Sequence, residues 1–117
     1  MTITNAFASL AVHDLEVARP WYEQLLGPAS QPMPEVLEWT LGRGGGLQVY
    51  RLPERAGQGS CTMIVDDIDD IAGQLRKTGL APDAEPVRSE QTDTVMVKDP
   101  DGNSIAPAVP KDPTLAR

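Results

Sequence analysis

Leu10-Ala11-Val12-His13-Asp14-Leu15, near the start of the chain, and Met63-Ile64-Val65-Asp66-Asp67-Ile68, half-way along it, share one pattern. Leu10, Val12, Asp14 and Leu15 correspond to Met63, Val65, Asp67 and Ile68 at a constant offset. In each copy an alternation of apolar residues reads as a strand with one face on a core, and the aspartate that follows suits the cap of a helix. The first helix is expected from Leu15, with Leu15, Ala18, Tyr22 and Leu25 on one side and Gly27 as its stop. Pro20 falls inside it and should bend or restart it, because proline lacks the amide hydrogen that the preceding turn requires. The second helix starts after Asp67, buries Ile68, Ile71 and Leu75, and ends at Gly79.

Strands follow each helix. A proline-rich link with Pro28, Pro32 and Pro34 leads to Val36–Leu41 and Leu47–Leu52, a hairpin turning on Gly42-Arg43-Gly44-Gly45-Gly46. In the second half a weak strand is expected within Ala84–Ser89, then Thr94–Lys98, the turn Asp99-Pro100-Asp101-Gly102, and Ser104–Ala108. Pro107 and Pro110 should interrupt the last strand and leave Val109–Arg117 extended or loose. The order strand, helix, strands occurs twice, since each sheet must bury its apolar side under a helix. The fold class is therefore α+β: two tandem βαβββ modules, a cupped mixed β-sheet, helices outside. We place module one at about residues 5–53, module two at about 59–108 and a tail at 109–117, within one domain.

Composition narrows the function classes. With 117 residues, 40% hydrophobic and 23% charged, the chain reads as an ordinary globular domain. The formal net charge of −7 repels phosphate backbones and anionic lipid surfaces, so neither nucleic acid nor membrane is an expected partner. No stretch approaches the roughly 18 apolar residues of a membrane span. The first residues lack the pattern of a secretory signal, so a cytoplasmic location is expected. Cys61 is the only cysteine, which rules out an internal disulfide and a cysteine-built zinc cage.

The motifs Leu10-Ala11-Val12-His13-Asp14-Leu15, Trp21-Tyr22-Glu23-Gln24-Leu25-Leu26-Gly27, Val65-Asp66-Asp67-Ile68 and Lys98-Asp99-Pro100-Asp101-Gly102-Asn103-Ser104-Ile105 together resemble the vicinal oxygen chelate superfamily. That superfamily includes glyoxalase I, extradiol dioxygenases, fosfomycin resistance proteins and bleomycin-binding proteins, and the resemblance covers nearly the whole chain. It implies that a metal, where present, is held by the first and last strand of each half, pointing into the cup. Those positions fall here on Phe7, Gln48, Ser60 and Ala106. They offer one amide oxygen and one hydroxyl, whereas zinc, iron, nickel and manganese sites use three or four His, Cys or carboxylate donors. The expectation is that there is no metal and no other cofactor, and that the Lewis-acid chemistry of the metal-dependent members is lost.

Single residues that suggest chemistry have plainer readings. His13 is the only histidine and follows the first strand next to the capping Asp14, a surface turn position, and no second histidine or cysteine exists to build a triad. Asp99–Asn103 lacks the acidic spacing and distal glutamate of a calcium loop. Gly42–Gly46 is not followed by a capped helix and so does not form a phosphate cradle. Asp66, Asp67, Asp69 and Asp70 sit where the helix dipole favours negative charge.

Residues two apart on a strand share a face, which puts Phe7, Ser9, Ala11, Gln48 and Tyr50 toward the cup in module one. Ser60, Thr62, Thr94, Met96, Lys98, Ser104 and Ala106 face it in module two. On Val36–Leu41 the parity is open, with Glu38 and Thr40 as the residues that would face the cup if Leu37, Trp39 and Leu41 face the helix. Such a mixture of small, hydroxyl, aromatic and flexible side chains suits an organic molecule with a few polar anchors. The expected function is a metal-free small-molecule-binding protein of the glyoxalase/bleomycin resistance type, a binder rather than an enzyme, acting as a homodimer. The ligand-binding residues would be Phe7, Gln48, Tyr50, Ser60, Thr62, Met96, Lys98 and Ala106, with no catalytic or metal-binding residues. The alternative is a glyoxalase-like lyase, isomerase or dioxygenase with a non-standard site, for which Gln48, Tyr50 and Lys98 are the only polar actors. A third is an interaction subunit whose cup is filled by side chains.

Overall fold

The computed structural model describes residues 1–112. The part of the expected tail beyond them lies outside the described residues. The chain divides into two compact units, Met1–Gly59 with Pro100–Asn103 and Ser60–Asp99 with the chain from Ser104. The fold is α+β.

In the first unit, strand β1 (Phe7–Val12) leads into helix α1 (Leu15–Leu26), then β2 (Ser30–Met33), β3 (Val36–Thr40) and β4 (Gly46–Arg51). The sheet order is β1-β4-β3-β2, with β1 parallel to β4 and the other pairs antiparallel. Asp14 starts α1 by accepting a hydrogen bond from the Glu16 N–H at 2.8 Å, and Gly27, at φ 87°, ends it. The helix runs through Pro20 without the expected restart. The bond lost there is the one to the Glu16 carbonyl, and since Glu16 and Pro20 are both exposed, water can take that acceptor. On the helix side of the sheet lie the buried Leu10, Val12, Leu37, Trp39, Leu47 and Val49, against Ala18 and Tyr22 of α1. The Tyr22 and Trp39 rings are 5.8 Å apart, and Trp39 Nε1 donates to the Gly27 carbonyl at 2.9 Å.

The short β2 was not expected in the proline-rich link. Pro32 is tolerated in it because β2 lies at the sheet edge, where a missing N–H can face away from the ladder.

In the second unit, β5 (Ser60–Ile64) leads into α2 (Ile68–Thr78), then β6 (Val87–Arg88), β7 (Thr92–Thr94), β8 (Val97–Lys98) and β9 (Ser104–Pro110). The sheet order is β5-β9-β7-β6, with β8 also on β9, and β5 parallel to β9. Asp67 Oδ1 caps α2, taking the N–H groups of Asp69 at 3.0 Å and Asp70 at 3.1 Å, and Gly79 closes it in the left-handed conformation. Ile68, Ala72 and Leu75 are its buried stripe.

Two expectations fail here. Pro107 and Pro110 do not interrupt β9, and Thr94–Lys98 is not one strand but β7 and β8. The Val95 N–H donates to the Pro107 carbonyl at 3.0 Å, a pairing whose partner bond would run from position 107 back to the Val95 carbonyl. Proline has no hydrogen to give, so the neighbouring strand loses its ladder at Val95 and Met96, opposite the proline. Counted as one broken strand, β7 and β8 give the second unit the same strand-helix-three-strand order as the first.

Candidate functional site

Backbone register fixes which residues share the face of the first sheet opposite α1. Ser9 stands beside Gln48 on the parallel β1–β4 pair, and Gln48 stands beside Glu38 on the antiparallel β3–β4 pair. Phe7 is paired with Gly46, and Tyr50 with both Ala11 and Val36. The expected Phe7, Gln48 and Tyr50 are therefore brought to one face of this unit. The parity left open on β3 is settled: Leu37 and Trp39 are buried toward the helix, and Glu38 shares the face of Gln48.

The polar centre of this face is a short chain of hydrogen bonds. Ser9 Oγ donates to Gln48 Oε1 at 3.4 Å, and Gln48 Nε2 donates to Glu38 Oε1 at 3.1 Å. Gln48 and Glu38 are half-buried. Glu38 is the residue that sequence reasoning left out of its candidate set. The signal that could have found it was the apolar alternation of Leu37, Trp39 and Leu41, which leaves Glu38 to the other face. At one end of the face Phe7, 38% exposed, lies across Gly46: a methyl added there would stand 2.4 Å from Phe7 Cε2.

In the second unit Ser60 pairs with Ser104, Thr62 with Ala106, and Lys98 with Ser104, so these side chains share the sheet face opposite α2. Met96 follows β7 between Val95 and Val97, both buried, and is itself 57% exposed. Cys61 points the other way by parity and is half-buried, and burial pushes its thiol above the ordinary range. It is a poor nucleophile near neutral pH.

His13 and Asp101 form a pair within the first unit, Nδ1 to Oδ1 at 2.8 Å, and the His13 N–H also donates to that oxygen at 3.4 Å. The His13 side chain is 65% exposed. In the Asp-Pro-Asp-Gly-Asn segment Asn103 takes the Gly59 N–H on Oδ1 at 2.9 Å and gives Nδ2 to the Ala11 carbonyl at 2.8 Å.

The residues at the four positions where the resemblance implies metal ligands do not fit a divalent ion. Phe7 carries no lone pair and its ring covers Gly46, Ala106 carries no donor, and Gln48 is already engaged on both sides. Among the described residues no three His, Cys, Asp or Glu side chains converge. No helix among them is long and apolar enough to cross a membrane.

No protein-family model and no curated sequence matches the chain. Solved structures do. A glyoxalase/bleomycin resistance protein from Catenulispora acidiphila is 34% identical, covers 92% of this chain and 98% of its own, and superposes with a TM-score of 0.79. A glyoxalase/bleomycin resistance protein from a Streptomyces species is 27% identical over 89% of this chain and 98% of its own, with a TM-score of 0.73. TnmS3, an antibiotic-binding protein also from Streptomyces, is 25% identical over 95% of this chain and 99% of its own, with a TM-score of 0.80.

Proposed function

The chain belongs to the glyoxalase/bleomycin resistance protein family, and from that membership we propose that it is a small-molecule-binding protein that works without a metal ion. The observation that carries this reading is the hydrogen-bonded row Ser9, Gln48 and Glu38 on the open face of the first sheet, between the rings of Phe7 and Tyr50. A row of neutral and anionic acceptors flanked by aromatic surface can anchor the polar groups of an organic ligand and cover its apolar body. Ser60, Thr62, Met96, Lys98 and Ala106 are the contacts that the second unit would offer. Likeness to an antibiotic-binding protein supports the same reading. A metal-dependent reaction has no suitable donors at Phe7, Gln48, Ser60 and Ala106, which favours binding over turnover.

The test is a thermal-shift screen of protein dialysed against a chelator, over a panel of organic metabolites and antibiotics. A ligand that binds the native state raises Tm with its concentration. The expected result is at least one such compound, whose effect is lost in Gln48→Ala and Tyr50→Ala. A panel that raises Tm only when a divalent metal is added back would overturn the proposal.

A further inference from the structure

We infer that Glu38 makes this face selective for organic cations that carry N–H donors, such as protonated amines and guanidines attached to an apolar body. The inference rests on the binding function proposed above and adds a ligand class to it.

Glu38 differs from the carboxylates that face a cation, cap a helix or stand in water. Glu23 faces Arg19 and the Ala29 N–H, Asp69 and Asp93 face Arg88, Asp101 faces His13, and Asp14 and Asp67 cap helices. Carboxylates such as Glu16, Glu54 and Glu90 are exposed to water. Glu38 is half-buried, and its side chain meets one neutral donor, Gln48 Nε2. No Lys or Arg occupies a strand position on that face, whose occupants by register are Ser30, Val36, Thr40, Gln48, Tyr50 and the β1 residues Phe7, Ser9 and Ala11.

A carboxylate can accept about four hydrogen bonds, so Glu38 keeps acceptor sites after Gln48 is served. An arriving ammonium or guanidinium can fill those sites through charge-assisted bonds. The Phe7 and Tyr50 rings add faces on which a cation or an apolar body can lie. A ligand carboxylate would meet Glu38 with like charge, and the one cation among the proposed contacts, Lys98, belongs to the sheet of the second unit. Gln48, tied to Ser9 and Glu38, holds the carboxylate in place.

The probes are tryptamine, tryptophol and indoleacetate, which share one ring and differ in a terminal amine, alcohol or carboxylate. Titrations are followed by the backbone amide shifts of Ser9, Gln48 and Tyr50 in the intact protein. Tryptamine should bind at least about fivefold more tightly than tryptophol, as a charge-assisted bond outweighs a neutral one, and indoleacetate more weakly than either. The amine preference should shrink as salt is raised. In Glu38→Gln the amine should lose its advantage over the alcohol, and in Glu38→Lys the order of amine and carboxylate should reverse. Melting curves and dispersed amide spectra establish that both variants are folded. Equal binding of amine and alcohol by the wild type, or a preference that survives Glu38→Gln, would overturn this inference while leaving small-molecule binding intact. Absence of shifts at all three positions with every probe would also overturn this inference, while small-molecule binding itself is decided by the thermal screen.

Discussion

Asn103 has no exposed surface, and both ends of its amide are used, one on the Gly59 N–H and one on the Ala11 carbonyl. Truncation to alanine takes the acceptor from the Gly59 N–H and leaves the Ala11 carbonyl with only the longer bond from the Gly57 N–H at 3.4 Å, so Asn103→Ala should cost about 1–3 kcal/mol. Urea unfolding should then show a lower midpoint with an unchanged slope. Gly57, at φ 80°, allows the same turn to approach: a Cβ there would stand 2.2 Å from the Asp101 carbonyl oxygen. Gly57→Ala is therefore expected to destabilise by both strain and contact. Cys61 offers a chemical check. Its thiol pKa is raised by burial, so the reactive thiolate is scarce near neutral pH, and its modification by a disulfide reagent should accelerate as pH is raised well into the alkaline range. Fast modification at neutral pH would mean that β5 opens or that the thiol is more exposed than the structure has it. At this scale the sequence announced Asn103 as part of a turn motif but not its role, because the groups it serves, Ala11 and Gly59, are remote along the chain and only folding brings them near. Glu38 was legible in part: the alternation of Leu37, Trp39 and Leu41 leaves it to the other face, whereas its place beside Gln48 depends on strand register, which no local signal marks.

The helices were the most legible elements. Asp14 and Asp67 as caps and Gly27 and Gly79 as stops bracket α1 and α2, since capping chemistry is local and readable from adjacent residues. Asp67→Ala should cost about 1 kcal/mol by leaving the Asp69 and Asp70 N–H groups without their acceptor. The effect of a proline depends on what lies alongside, which the local sequence does not carry: β2 accepts Pro32 at an edge, α1 accepts Pro20 near water, and β9 accepts Pro107 at the cost of one ladder bond. The last case makes a direct prediction. Pro107→Val supplies a hydrogen facing the Val95 carbonyl, and the new amide at position 107 should exchange slowly with solvent. Rapid exchange there would show that the gap between β7 and β8 has another cause.

At the scale of the whole chain, the repeat of strand, helix and strands was readable because alternation and caps recur at a fixed offset, and the family follows from a relative 34% identical over nearly its full length. What the chain binds was not readable in that way, since ligand choice rests on a few side chains that a fold tolerates in many versions. We propose that the chain acts as a homodimer. Light scattering should therefore give about twice the 12.6 kDa chain mass, and a monomer at the concentrations used for binding would contradict it. Small-molecule binding without a metal is tested most directly by calorimetric titration of one ligand from the thermal screen, before and after dialysis of the protein against a chelator. The account predicts the same affinity and stoichiometry in both titrations; binding that disappears with the chelator and returns with one equivalent of zinc, nickel or iron would contradict it.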